Sequence, residues 1–444
     1  MISNRFCCTL ALLGALLNLP AARAQNHPAP AGQATASRIE AAFQKFWSAH
    51  SPAEAERTVD EIVKTSVTFD EAWRRLQAGR TYSVRQTGVV QLSNRTKDGI
   101  EHYYAVTVPP AYDPARRYQV RFQLHGGIGG RKDNQPRGTG EIGALAGAEQ
   151  FYVIPYAWRD SPWWGDDQVL NLNAIVDALK RTYNIDENRV VVAGVSDGGT
   201  GAYYVGMRET TPFASFLPLN GFIMVLANDE IDDGGLFPNN LRNKPMFVVN
   251  GGRDPLYPIF TVEPFVKHLV SNGVNIAYYP QPEAGHNTAW WPELKDLFEK
   301  FVADHPRDPH PDKLTWEAAG SSHNRAHWLV IDEFGNQPGD TSSMPDMNVF
   351  RSSELLFSRT KPTGRVDLLR TGNTVEATTR GVAAFTLLLS PDKFDFSRPI
   401  KVAANGHTVF EGRMERSVKT LMKWAAQDND RTMLYAAELK IKLR

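Results

Sequence analysis

From Tyr118 onward, short apolar runs alternate with longer stretches in which apolar residues recur every three or four positions. The runs are Tyr118–Leu124, Phe151–Pro155, Val190–Ala193, Pro245–Val249 and Ile276–Tyr279. A run too short for a helix and closed by glycine, proline or a polar turn reads as a strand buried on both faces. Helical patterns lie between them, at Thr200–Arg208 and Trp290–Ala303 among others. Strands separated by helices predict a parallel sheet with helices packed on it. Upstream, Thr81–Leu92 and Glu101–Val108 flank the turn signal Asn94–Gly99, which predicts an antiparallel hairpin at the start of that sheet. Earlier still, 38–49 and 53–78 carry helical patterning through Ile62, Val63, Phe69, Trp73 and Leu76, and are expected to pack against the sheet domain. Residues 25–37 are rich in Ala, Pro and Gln and are expected to be flexible.

The pattern changes after Asp304. Residues 305–312 hold three prolines among charges, which suits neither helix nor core and reads as a linker. Beyond it come short runs around Trp316, Ala326–Asp332, Arg365–Leu369, Thr374–Thr378, Ala384–Leu389, Ile400–Ala403 and Thr408–Phe410, separated by Gly, Pro, Asn or Asp. That spacing predicts a β-sandwich, with a hairpin turn at Asn405-Gly406. Val418–Ala426 reads as a helix and Met433–Leu443 as a last strand. The chain thus divides into 1–24, 25–80, 81–304, the linker 305–312, and 313–444, with no internal repeats.

Residues 1–24 carry the marks of a secretory signal peptide: Arg5, the apolar stretch Phe6–Leu19, and Ala22-Arg23-Ala24 as a small-residue cleavage site before Gln25. Both cysteines of the 444-residue chain, Cys7 and Cys8, lie inside it. A mature chain would then hold no disulfide, no thiol nucleophile and no cysteine metal site. Such a chain suits the periplasm or the exterior of a bacterium and must rely on its core. Lys plus Arg equals Asp plus Glu at 49 each, so charge gives no argument for nucleic acid or a membrane surface as partner. After the leader no apolar run reaches the ~20 residues that span a bilayer. The acidic stretch Asn228–Asp233 lacks the calcium-loop pattern, no zinc-ligand spacing occurs, and no cofactor motif is present. Oligomeric state has no signature.

The chemistry concentrates at the ends of the predicted strands. Val190–Ala193 runs into Gly194-Val195-Ser196-Asp197-Gly198-Gly199, a G-x-S-x-G pattern in which a strand, a tight turn and a helix push Ser196 out at the apex. A serine hydroxyl needs a base, and the base an orienting acid. Asp254 follows the run Pro245–Val249 and a glycine pair, and His286 follows Ile276–Tyr279. Each alone could be an ordinary turn residue. The competing acids Asp229, Asp232 and Asp233 lie in an apparently solvated loop. The competing histidines are His268 in a helical pattern and His305 and His310 in the linker. Acyl transfer also requires oxyanion donors. Asp197 N–H, directly after the serine, is one candidate. Gly127 N–H, in His125-Gly126-Gly127-Ile128-Gly129-Gly130 after strand Tyr118–Leu124, is the other, ahead of Gly126 or Ile128. That loop does not match a phosphate loop, because no Lys-Ser/Thr follows. The Asp197 carboxylate either repels anionic acyl groups or simply suits the helix N-terminus and points aside. Trp158, Trp163 and Trp164 crowd one loop and Trp290 and Trp291 follow His286; Trp158, Trp163, Trp164 and Trp290 are candidates for a substrate pocket, or for rings that pin loops to the core.

On Leu124-His125-Gly126-Gly127, Asn184–Arg189, Gly194–Gly199, Asn250–Asp254 and Ala284-Gly285-His286, the stretch 82–303 resembles bacterial α/β-hydrolases of the esterase / phospholipase-carboxylesterase type, and also the catalytic domain of prolyl-oligopeptidase-type peptidases. The resemblance implies an α/β-hydrolase fold with an appended C-terminal β module. It implies Ser196 as nucleophile, His286 as base and then acid, and Asp254 as orienting acid. The resemblance leaves the substrate open; the aromatics near the predicted site and the β module point to an ester-decorated plant polysaccharide (acetyl or feruloyl), beside a small-molecule ester. A serine peptidase and an inactive hydrolase-fold binding protein are the alternatives. Such peptidases carry a β-propeller that residues 25–80 cannot hold, and an aromatic where this chain has Asp197.

Overall fold

The computed structural model describes residues 31–132, 142–335, 347–349, 352–354, 356–357 and 361–443. The signal-peptide expectation and both cysteines lie outside them.

Strands β1 (Gly88–Arg95) and β2 (Glu101–Val108) form the expected hairpin, with Gly88 opposite Val108. With β3 (Tyr118–Leu124), β4 (Phe151–Pro155), β5 (Ile185–Val195), β6 (Ser215–Leu219), β7 (Met246–Gly251) and β8 (Ile276–Gln281) they build an eight-stranded sheet in the order β1-β2-β4-β3-β5-β6-β7-β8. Only the β1–β2 and β2–β4 pairs are antiparallel. This is the α/β-hydrolase fold, and the apolar runs show why it forms. Val190 and Val192 of β5 face one core and Val191 and Ala193 the other, so both faces of a central strand are buried. The first core lies beneath α4 (Asp166–Thr182), α5 (Asp197–Arg208) and α6 (Ile259–Ser271); the second is closed by α7 (Trp291–Asp304) through Leu294, Phe298 and Val302. Strand direction then brings the carboxyl ends of β5, β6, β7 and β8 to one edge, where sites of such sheets collect.

The N-terminal helices differ from expectation in two ways. Helix α1 (Ala31–Ser48) begins inside the stretch expected to be flexible. The pattern over 53–78 is two helices, α2 (Pro52–Lys64) and α3 (Phe69–Ala78), broken where Ser66 takes φ 60°. Ser51 caps α2 through Glu54 N–H at 3.2 Å and Thr68 caps α3 through Glu71 N–H at 3.3 Å. Their apolar faces do not close mainly on the sheet domain. Phe43, Phe46, Val59 and Ile62 share a core with Leu421, Met422 and Ala425 of α8 (Val418–Asp428), in the C-terminal region. Contacts to the sheet domain are polar, such as Arg181 Nη1 to Ala49 O at 2.8 Å.

The C-terminal region is two facing sheets over one core. Strands β9 (Lys313–Ala318), β14 (Gly364–Thr371), β15 (Thr374–Arg380), β17 (Ile400–Ala404) and β18 (His407–Gly412) form a five-stranded sheet; β10 (Arg325–Ala326), β11 (Leu329–Phe334), β16 (Val382–Leu389) and β19 (Ala437–Lys442) form a four-stranded one. A small pair, β12 (Met347–Val349) with β13 (Ser352–Glu354), stands apart. Trp316, Val366 and Val402 meet Ile331, Phe385 and Leu439 between the sheets, as the period-two patterns require. Asn405 and Gly406 both have positive φ, 50° and 84°, which suits the two-residue turn joining β17 to β18.

The expected linker 305–312 is anchored rather than fully solvated: Arg307 and His310 are buried, while Pro306, Asp308 and Asp312 are exposed. The Arg307 side chain is fully buried, with Nη2 2.8 Å from Asp430 Oδ2 and Nε 3.0 Å from Asn188 Oδ1. Lys180 Nζ reaches the same Asp430 carboxylate at 3.2 Å. Burial alone would raise the Asp430 carboxyl; the Arg307 guanidinium and Lys180 ammonium outweigh it and hold it far below the usual carboxylate range. Beside it, Arg431 clasps the start of β5, donating to Glu187 Oε1 at 2.5 Å and to Ile185 O at 2.6 Å. A second seam joins Asn240 to β9. Its amide donates to Glu317 O at 2.9 Å and accepts from Glu317 N–H at 2.8 Å, mimicking a ladder pair.

Candidate active site

Strand β5 ends at Val195 and α5 begins at Asp197, so the turn has one residue, Ser196, at φ 56° and ψ −118°. Such a backbone is strained by roughly 1–3 kcal/mol for a residue with a Cβ. It persists because both sides are pinned: Ser196 N–H donates to Leu219 O at 2.9 Å, and Ser196 O accepts from Thr200 N–H at 3.0 Å. The neighbouring glycines are steric necessities. A Cβ on Gly194 would overlap the Gly198 carbonyl, and one on Gly198 the Leu124 carbonyl of β3.

Asp254 sits just past β7, with its side chain fully buried. Its Oδ1 accepts from Leu256 N–H at 2.8 Å and Tyr257 N–H at 3.0 Å, a local turn that fixes the carboxylate. Its Oδ2 lies 2.6 Å from His286 Nδ1, and His286 Nε2 lies 2.8 Å from Ser196 Oγ. The pairing with Asp254 assigns the imidazole proton to Nδ1 and leaves the Nε2 lone pair for the serine hydroxyl. The loop carrying His286 lies close on the start of the loop carrying Asp254. Gly251 meets the Ala284 and Gly285 carbonyls where a Cβ would not fit, and Arg253 N–H donates to Ala284 O at 2.9 Å. Asn220, at φ 48° after β6, holds the far side by donating Nδ2 to Asn287 O at 2.8 Å. The competing residues lie elsewhere. Asp233 is taken by Arg208 at 2.8 Å, His305 Nδ1 by Phe301 O at 2.7 Å, and His310 is buried at the junction with the C-terminal sheets.

The loop after β3 closes over the serine. Gly126 is so near that a Cβ there would lie 2.9 Å from Ser196 Cβ, and Gly127 has φ 68°. Ile128 N–H donates to Asp197 Oδ2 at 3.0 Å. The Asp197 carboxylate is therefore engaged with this loop, and Ile128 N–H is removed from the candidate oxyanion donors. His125 Nδ1 lies 2.9 Å from Gly126 O, while its Nε2 accepts from Ala157 N–H at 3.1 Å. This arrangement requires a neutral ring, and burial lowers the His125 pKa accordingly.

The tryptophans proposed for a pocket are mostly core. Trp163 is fully buried, its Nε1 donates to His125 O at 2.7 Å, and Gly201 of α5 lies against it. Trp158 is buried, stacked on Tyr156 at 5.9 Å beneath Lys132. Trp290 is buried with Trp291 and Leu294 under the second face of the sheet. Only Trp164 of the four is half-buried. Large rings gain more from leaving water than loops lose by being fixed, about 25 cal/mol per Å². Sequence reasoning missed the aromatics that do border the Ser196–His286–Asp254 cluster. Tyr257 meets the His286 ring in a T-shaped contact with centroids 5.5 Å apart, and Phe222 packs on Tyr257 with centroids 5.8 Å apart. Leu256 on the same loop and Phe260 in the first turn of α6 are 63% and 66% exposed. Tyr257 stands three residues after Asp254, a spacing that could have drawn attention to it. His125 lay in the glycine-rich loop motif, which gave no role for its ring, and Asn220 gave no local signal beyond lying at a strand end. Among the described residues no group of three His, Cys, Asp or Glu could hold a metal ion.

No family model matches the chain. It is 27% identical over 217 residues to a bifunctional acetylxylan esterase/xylanase of Neocallimastix patriciarum, covering 45% of this chain and 30% of that protein. It is 25% identical over 194 residues to a protein of Aspergillus terreus named "Probable feruloyl esterase C", covering 41% of this chain and 66% of that one. The chain thus spans less than two thirds of the length of either curated relative. Among solved structures, a ferulic acid esterase at 18% identity aligns with a TM-score of 0.39 over 50% of this chain and 99% of its own.

Proposed function

We propose that this chain is an exported serine hydrolase that cleaves carboxylic esters through an acyl-enzyme. The observation that carries the reading is the continuous line Ser196 Oγ, His286, Asp254, at 2.8 and 2.6 Å. His286 Nε2 takes the Ser196 proton as Oγ bonds to the ester carbonyl carbon. Negative charge moves to the carbonyl oxygen, where Gly127 N–H and Asp197 N–H receive it; Asp197 opens α5, so its N–H has no helix carbonyl to serve. The tetrahedral centre collapses, the C–O bond to the alcohol breaks, and His286 returns the proton to the departing oxygen. Water then repeats the sequence and frees the acid. Asp254 holds the imidazole orientation and offsets its charge throughout. Export is read from residues 1–24, and no helix among the described residues is long and apolar enough to cross a membrane.

The substrate class we assign is an ester-decorated polysaccharide. The names of both curated relatives, one for acetylxylan and one for feruloyl esters, support it. The same names favour ester over peptide hydrolysis. Turnover of chromogenic esters of increasing acyl length, by the chain from Gln25 beside Ser196→Ala, tests the reaction. Loss of turnover in the variant supports it. Preference for an aminoacyl-prolyl amide moves the assignment to a peptidase. No Ser196-dependent turnover together with no labelling by a phosphonate probe leaves a binding protein. Release of acetate or ferulate from xylan tests the polymer; simple esters cleaved with nothing released would reject it.

A further inference from the structure

Two side chains hold the two successive peptides that flank Gly127. On one side, His125 Nδ1–H donates to Gly126 O at 2.9 Å. On the other, Asp197 Oδ2 accepts from Ile128 N–H, one residue past Gly127, at 3.0 Å. A trans peptide is planar, so fixing its carbonyl oxygen also fixes the N–H on the opposite edge, that of Gly127. Gly127 itself is the loosest point of the loop. It has no side chain, sits at φ 68°, and would leave open space around a Cβ. Its neighbours carry the constraint instead: Ile128 is buried in the first core and His125 is wedged between Tyr156 and Trp163.

Resting on the ester-hydrolase reading above, we propose that Asp197 is a positioning residue that sets both oxyanion donors. Its main chain supplies one N–H; its carboxylate anchors the peptide after Gly127 while the His125 ring anchors the peptide before it, so the Gly127 N–H that supplies the other is fixed from both flanks. This explains an acidic residue directly beside a nucleophile whose intermediate is an anion. One carboxylate oxygen, Oδ2, is spent on Ile128 N–H. What the role needs is an acceptor oxygen rather than a charge, so asparagine can fill it and alanine cannot. A donor that must be oriented in each turnover gives less stabilisation to the transition state than one already in place, and has little effect on ground-state binding.

The test compares wild type, Asp197→Asn and Asp197→Ala with a chromogenic acetate ester and with the rate at which a neutral fluorophosphonate labels Ser196. In that reagent the phosphoryl oxygen takes the oxyanion's place. Asp197→Ala is expected to lower kcat about thirtyfold with KM changed less than about twofold, and to slow labelling by a similar factor. Asp197→Asn is expected to lose about threefold in each. Equal losses in the two variants overturn the inference, because charge or helix stability is then responsible. A rise in KM with kcat retained also overturns it, because the side chain then contacts substrate. A thermal midpoint that falls in Asp197→Ala and not in Asp197→Asn, with kcat per labelled serine unchanged, reduces the role to structure. If wild type itself is not labelled at Ser196, the ester-hydrolase reading fails and takes this inference with it; labelling in wild type with equal rates in all three forms removes this inference alone.

Discussion

Strand β5 is held in opposite ways at its two ends. At the carboxyl end the chain leaves the sheet in a strained one-residue turn, and side chains are fixed by main-chain hydrogen bonds: Leu256 and Tyr257 N–H on Asp254, Asn220 on the His286 loop. At the amino end ions do the holding. Arg431 grips Glu187 and Ile185, and Arg307 joins Asn188 to Asp430. The difference has a physical reason. Backbone donors position a carboxylate without adding a cation that would compete for its proton partner, so the imidazole keeps its relation to Asp254. Buried ion pairs tolerate no missing partner, because the remaining charge cannot reach water. That makes them poor in a site that must change charge and effective where two units must meet in one way only.

The largest effect is expected where the site end is altered without changing its shape. Asp254→Asn keeps Oδ1 for the two turn N–H groups but points an amide donor at His286 Nδ1. The ring then turns to the tautomer with its proton on Nε2, and kcat is expected to fall about 10⁴-fold with an unchanged unfolding midpoint. A loss below about tenfold would mean that main-chain contacts alone orient His286. The amino end should respond in reverse. Arg307→Leu leaves Asp430 with Lys180 alone and is expected to cost about 3–5 kcal/mol in urea unfolding, while folded molecules keep full turnover per active serine. If turnover falls in proportion, the two ends of β5 are coupled.

Acid should separate the ends more gently. His310 is buried near Arg307, Asp308, Asp430 and Lys393, with neither ring nitrogen hydrogen-bonded, and burial pushes its pKa down to about 4. The unfolded chain takes up this proton near pH 6.5 and the folded chain only near 4. Between these values the unfolded state binds more protons, so stability rises with pH: it is complete above about 6.5 and is lost as pH falls toward 4, up to about 3 kcal/mol. His327, buried beside it, shifts in the same direction for the same reason. Urea midpoints of wild type and His310→Phe across pH 7.5 to 5 check this. A slope equally steep in the variant would place the sensitivity elsewhere.

The carboxyl end of β5 was largely legible in the sequence because its signals are local. A β-branched run, a turn glycine and the next residue specify an elbow within ten positions, and Asp254 and His286 each follow such a run. The amino end was not legible. Arg307 sits among prolines and charges that look solvated; what buries it is Asp430, far along the chain, and nothing nearby announces a partner. The tryptophans show a third limit. Trp158 and Trp163 lie on a loop beside the site, and their composition is the same whether they face a ligand or the core; the Gly201 approach and the His125 carbonyl decide for the core at Trp163, and burial against Tyr156 decides it at Trp158. In the same way, helical periodicity identified an apolar face around Ile62 but not the surface that covers it.

That covering surface bears on how the molecule is made. Phe43, Phe46 and Ile62 close against Leu421, Met422 and Ala425. A ribosome produces the second group well over three hundred residues after the first, and at ~5–20 residues per second the interval is on the order of tens of seconds. For that time three amphipathic helices lack their fourth wall. The eight-stranded sheet can be synthesised whole within the wait, since every strand of it lies between the two groups. Helix α8 therefore completes a core begun before any strand of the eight-stranded sheet, and a nascent chain stalled short of residue 421 would carry a finished sheet beside an apolar face still open to other proteins.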